Sequence, residues 1–159
     1  MSDSSHRLDL SHPSLQLSFL PTRLSILQFS PTRRIPRALV ELATAPGRDV
    51  PFVSITRTRA EVSIIVETDR VVESSGSLSS DDEPVCPIES SGPWIALVVK
   101  GPMDLSLTGI LHALTGPLRD AHVPVFASST WDTDYVLVNA DKRDDAKAAL
   151  VNAGWTFEA

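Results

Sequence analysis

The sequence predicts an α+β protein made of two successive β/α units, each an antiparallel sheet with helices on one face. Three observations carry this. Residues 94–138, WIALVVKGPMDLSLTGILHALTGPLRDAHVPVFASSTWDTDYVLV, read as strand, glycine-marked turn, helix, strand, tight turn, strand without a break. Leu107, Ile110, Leu111, Leu114, Leu118 and Ala121 recur at helical spacing, so one stripe of that helix faces a sheet. The first half repeats a fainter strand, short helix, strand, strand.

Residues 1–13 are polar and expected to be disordered. Leu15, Leu17 and Phe19 alternate with polar residues, and Leu24 and Ile26 continue an extended run after Pro21, which predicts a hairpin or a bent strand. Residues 35–43, IPRALVELA, predict a short helix with Pro36 in its first turn. PFVSITRT and EVSIIVET, flanking Thr58-Arg59-Ala60, are rich in β-branched residues and predict an antiparallel pair. A first unit is therefore drawn over residues 14–72.

Residues 73–92, ESSGSLSSDDEPVCPIESSG, have few apolar anchors and are drawn as a linker. A second unit follows over residues 93–159. WIALVVK is an apolar run suited to a strand covered on both faces. Pro117 should bend or tighten the end of the next helix, because it removes one backbone donor. VPVFASST and DYVLVN predict two strands; Asp141 is a candidate N-cap for a last helix, Gly154 its stop, and WTF a short edge strand. Each half thus approaches the βαββαβ order of a ferredoxin-like layout.

Composition removes several function classes. Hydrophobic content of 42% with 21% charge suits a folded soluble chain, and no apolar run approaches the roughly 20 residues needed to span a membrane. The first residues lack the apolar core of a signal peptide, and the one cysteine, Cys86, has no disulfide partner, so a cytoplasmic location is expected. The net charge of −6 is uneven: residues 1–59 carry a formal +4, leaving −10 for the remainder. That acidic second half argues against nucleic acid as its ligand. The four histidines show no metal-site spacing, and no GxSxG elbow, P-loop or dinucleotide fingerprint is present. No catalytic residue, metal or cofactor is assigned.

One chemistry does stand out. The turn leading into the helix, Met103 to Ile110, should expose backbone N–H groups at a helix N-terminus, a seat for the α-carboxylate of an amino acid. Ser106 and Thr108 add hydroxyl donors, and Gly109 admits close approach of a ligand or another backbone. Opposite it, Ser129, Thr130 and Asp134 offer oxygens to an α-ammonium or a guanidinium. Asp132 is read as turn-forming. Trp131 either stacks on the ligand or packs at a subunit surface.

The segment GPMDLSLTGILHALTGPLRDAHVPVFASSTWDTDYVLV is similar to the ACT domains of the CASTOR family of cytosolic arginine sensors, and PFVSITRTRAEVSIIVETDRV resembles the strand pair of that family's first ACT unit. The match covers most of residues 15–157; its sharpest parts are the SLTGI turn, Pro117 and SSTWDTDYVLV. The resemblance implies tandem ACT units, four in a full chain of that family against room for two here, so that a homodimer would complete the set. It implies amino-acid contacts from Thr130, Trp131 and Asp134. The chain departs from the family at the ligand turn, where Asp104 and Leu107 stand in place of a glycine and an acidic residue, which leaves the choice of amino acid open.

The resulting expectation is a non-enzymatic, cytoplasmic tandem ACT protein. It binds a free amino acid, arginine or another, at an interface between ACT units through Asp104, Ser106, Leu107, Thr108, Gly109, Ile110, Ser129, Thr130, Trp131 and Asp134. Occupancy passes to a protein partner in nutrient signalling. The alternatives are a structural dimerisation module without ligand, and a regulatory subunit acting in trans on an amino-acid biosynthetic enzyme.

Overall fold

The computed structural model describes residues 8–10, 12–47, 50–71, 87–103 and 108–158. The chain forms two compact units: a first over Thr22–Trp94, and a second that joins Met1–Pro21 to Ile95–Ala159. Residues 14–21, grouped with the first unit from sequence, thus belong with the second. The physical reason is a strand that serves both: β1 (Leu17–Phe29) is continuous for 13 residues rather than a hairpin. Pro21 does not break it, because the ladder to β3 begins only at Leu24, so that ladder has no need of the missing N–H.

In the first unit, α1 (Arg37–Thr44) starts immediately after Pro36, as its fixed φ allows. β2 (Val53–Arg57) and β3 (Val62–Glu67) pair antiparallel, and β3 pairs with β1 from Leu24↔Glu67 to Phe29↔Val62. Residues 68–71 are helical (α2). The strand order is β2-β3-β1-β4, with β4 at Glu89–Val99. Residues 89–92, drawn as linker from sequence, are therefore part of a strand, and most of that segment, Cys86 included, lies outside the described residues. Leu27, Phe29, Val62, Ile64 and Val66 alternate onto one face and close on Leu39 of α1.

In the second unit the order is β1-β4-β6-β5, with β5 at Val125–Ser129 and β6 at Asp134–Asn139. α3 (Ile110–Asp120) buries Ile110, Leu114 and Leu118, the stripe its spacing predicts. α4 (Arg143–Asn152) adds Ala146 and Leu150 to the same core, which also takes Leu17, Leu97, Val99, Val136, Val138 and Trp155. Pro117 sits inside α3 and cannot donate to the carbonyl four residues back, that of Ala113. The indole Nε1 of Trp155 donates to that carbonyl instead, at 3.4 Å.

Two terminal details differ from expectation. Asp141 does not cap α4: it lies in a 3-10 turn, Ala140–Lys142, and the helix begins after Lys142 without a side-chain cap bond. Residues 155–157 form no strand but a single parallel bridge, Leu17↔Phe157, with Leu17 N–H on the Thr156 carbonyl and Glu158 N–H on the Leu17 carbonyl. Gly154, at φ +97, ends α4 as predicted, its neighbour Trp155 donating back to Leu150 O.

Candidate ligand cleft of the second unit

A cleft of about 400 Å³ lies at the N-terminus of α3, between that helix and the β5–β6 turn. Its walls are Met103, Gly109, Ile110, Leu111 and His112 on one side and Ser129, Thr130, Trp131, Thr133 and Asp134 on the other. Sequence spacing placed both halves, and the fold brings them together.

The β5–β6 ladder ends on the rung Ser129↔Asp134. Asp134 shares the helix-facing side of β6 with Val136 and Val138, two and four residues on. It is 9% exposed, unusual for a carboxylate without a cation. Ser129 Oγ donates to its Oδ1 at 2.6 Å, and no salt bridge to it occurs among the described residues. The turn beyond is tight: Thr130 N–H and Oγ1 both donate to Thr133 O, at 2.9 and 3.1 Å. The Thr133 hydroxyl in turn donates to the Val99 carbonyl, tying the turn to β4.

The opposite wall is anchored to the same turn. Met103 N–H donates to Asp132 O at 2.9 Å. Gly101, at φ +67, brings the chain so close that an added Cβ would stand 2.9 Å from Asp132 O. Asp132 thus acts through its backbone, in agreement with a turn-forming role. Gly109 is the N-cap of α3 at φ +82, with no side-chain cap, and the first bond of the helix is Ala113 N–H to Gly109 O. Nothing stands within 4 Å of the Cβ position of Gly109, so glycine is needed there for its dihedral rather than for a close approach. The first N–H groups of α3, at Ile110, Leu111 and His112, have no intrahelical partner and carry the positive end of the helix dipole at the cleft.

Gly109, Ile110, Ser129, Thr130, Trp131 and Asp134 all line the cleft. Thr108 is described and exposed but does not line it, and Asp104, Ser106 and Leu107 lie outside the described residues. Met103, Leu111, His112 and Thr133 line it although sequence spacing did not single them out as ligand residues. The signal was available for the helix: once Ile110 is placed at the first turn, the next two positions share its exposed N–H end. Trp131 is 78% exposed at the rim. Among the described residues no cluster of His, Cys, Asp or Glu could hold a metal ion, and no helix is long and apolar enough to cross a membrane.

Arranged this way, the cleft offers hydrogen-bond donors with partial positive charge on one wall and a buried carboxylate on the other. That polarity suits a zwitterion.

Residues 89–152 match the family model of an ACT domain. The human (Homo sapiens) protein CASTOR3P is 32% identical over 117 residues, covering 67% of this chain and 66% of that protein. Among solved structures, protein Atu0741 from Agobacterium tumefaciens superposes with a TM-score of 0.67 at 28% identity, over 92% of this chain and 94% of that one. The regulatory subunit of aspartate kinase from Thermus flavus superposes with a TM-score of 0.55 at 13% identity, over 87% of this chain and 96% of that one, a likeness of fold. The chain belongs to the CASTOR-type family of ACT-domain proteins.

Proposed function

We propose that this protein is a non-catalytic amino-acid sensor whose ligand occupies the cleft between α3 and the β5–β6 turn. The α-carboxylate rests on the N–H groups of Ile110, Leu111 and His112, and the α-ammonium on Asp134. The observation that carries this reading is the placement of Asp134: a carboxylate 9% exposed, on the wall facing a helix N-terminus. The regulatory role fits the name of the aspartate kinase regulatory subunit whose fold this chain shares. The ligand is arginine or another amino acid; the side-chain specificity falls to Trp131, His112 and the ligand turn.

On this reading the site is completed by a second ACT unit of a homodimer, which covers the rim at Trp131. Ligand binding then favours one arrangement of units over another, and a protein partner in cytoplasmic nutrient signalling reads that arrangement. Only a difference in affinity between the two arrangements makes such a switch.

The test is thermal unfolding of the purified chain against each of the twenty amino acids, followed by calorimetric titration. A ligand at one hundred times its Kd adds about 2.7 kcal/mol of stability, which moves Tm by several degrees in a domain of this size. Stabilisation by one amino acid, lost in Asp134→Ala while the chain stays folded, is expected. No shift with any amino acid at millimolar concentration would overturn the sensor reading in favour of a ligand-free dimerisation module. The exposure of Trp131 favours that module as the second reading.

A further inference from the structure

The first unit repeats the turn that carries the ligand cleft in the second, with the opposite charge. In β2–β3 the last rung is Arg57↔Val62, as Ser129↔Asp134 is in β5–β6. Thr58 N–H and Oγ1 both donate to Glu61 O, at 2.8 and 3.2 Å, the same pattern that Thr130 makes with Thr133 O. The two turns are thus the same device. Yet the place of the buried carboxylate Asp134 is taken by Val62, fully buried in the core, and that of Ser129 by Arg57. An α-ammonium has no seat in the first unit.

What stands there instead is arginine. β1 ends at Phe29, paired with Val62, so the loop that follows it lies beside the 58–61 turn; Arg57 Nη1 donating to Pro31 O at 2.7 Å joins the two. That loop carries Arg33 and Arg34, the turn carries Arg59, and α1 opens on Arg37. All five arginines are exposed. Two acids accompany them: Glu41 pairs with Arg37 at 2.6 Å, and Glu61 accepts from the Gln28 amide. Arg34 and Arg59 have neither hydrogen bond nor ion pair among the described residues. In a chain of net charge −6, this end of one unit is a local concentration of positive charge.

We infer that the arginine-bearing end of the first unit, with Arg34 and Arg59 as its available cations, is a docking face for an acidic segment of a partner protein. Guanidinium forks suit carboxylates, which they grip through paired N–H donors. One feature selects a peptide over a nucleic acid: no aromatic ring is present over residues 30–37 or 57–61 on which bases could stack. The inference stands apart from the amino-acid cleft, since none of its residues line that cleft.

The experiment is fluorescence anisotropy of a labelled poly-glutamate peptide titrated with the full chain, its Arg34→Glu/Arg59→Glu variant and Asp134→Asn, with a single-stranded oligonucleotide of matched length in parallel. Both reversed positions are exposed, so circular dichroism and Tm should match the parent. The expected result is saturable binding that falls about tenfold or more in the double variant and in about 0.3 M NaCl, with Asp134→Asn unaffected. Absence of peptide binding at low salt, equal binding by the double variant, or tighter binding of the oligonucleotide would each overturn the proposal.

Discussion

Ser129 donates through Oγ to Oδ1 of Asp134 at 2.6 Å, across the last rung of the β5–β6 ladder, and so fixes a buried carboxylate toward the N-terminus of α3. Asp134→Asn keeps an oxygen in place to accept this bond but removes the charge. Folding should survive with a small change in Tm, whereas affinity for the stabilising amino acid should fall by about 1.5–3 kcal/mol, the worth of a hydrogen bond to a charged group. Calorimetric titration of the two proteins checks both.

Gly101→Ala tests the wall opposite. Its φ of +67 disfavours any L side chain, and the new Cβ would meet Asp132 O at 2.9 Å, with both atoms on backbone that cannot swing aside. A loss of about 1–3 kcal/mol is expected in urea unfolding, accompanied by weaker ligand binding, because the same contact seats Met103 against the β5–β6 turn.

How far the site could be read from the residues follows from where its information lies. The strand-forming runs VPVFASST and DYVLVN and the 3.6-residue stripe of α3 are local features of the sequence, and they set Gly109 at the start of the helix and Ser129 and Asp134 at the turn opposite it. The residues left open whether the run through Pro21 stays one strand or turns back as a hairpin, because that depends on which rungs pair with β3, a relation between residues far apart in the chain. Asp141 failed as a cap for a related reason: the chain takes a 3-10 turn first, and local preference yields to where Ala146 and Leu150 must meet the core. The role of Thr133, donating to Val99 O, is likewise a tertiary contact with no local signature.

Trp155→Phe probes the proline in α3. Trp155 is 2% exposed, and its Nε1 serves the Ala113 carbonyl that Pro117 leaves without a helical donor. Phenylalanine loses that donor and some volume, for an expected cost of about 1–3 kcal/mol. In a Pro117→Ala background residue 117 regains an N–H for the same carbonyl, so the cost of Trp155→Phe should shrink. A double-mutant cycle by thermal unfolding reads the coupling.

Trp131→Ala separates rim from core. With the side chain 78% exposed, stability of the isolated chain should stay within about 0.5 kcal/mol. Sedimentation and ligand titration of the same variant then distinguish its two roles: a lower dimer affinity assigns it to the subunit surface, a lower ligand affinity at unchanged dimerisation to the cleft.

The strand shared at β1 has a consequence for how the molecule must be made. The second unit draws Leu15, Leu17 and Phe19 from near the start of the chain and closes them on Trp155 and Phe157 near its end, with the Phe19 and Phe157 rings stacked at 5.6 Å. Its core therefore joins residues 15–19 to residues 155–157, with the residues of the first unit between them in sequence. Closure of such a loop is costly until its long-range contacts form. A ribosome must have made residues 15 through 157 before that closure is available, and a fragment beginning at β4 carries the cleft residues without β1, the neighbour of β4 in their sheet.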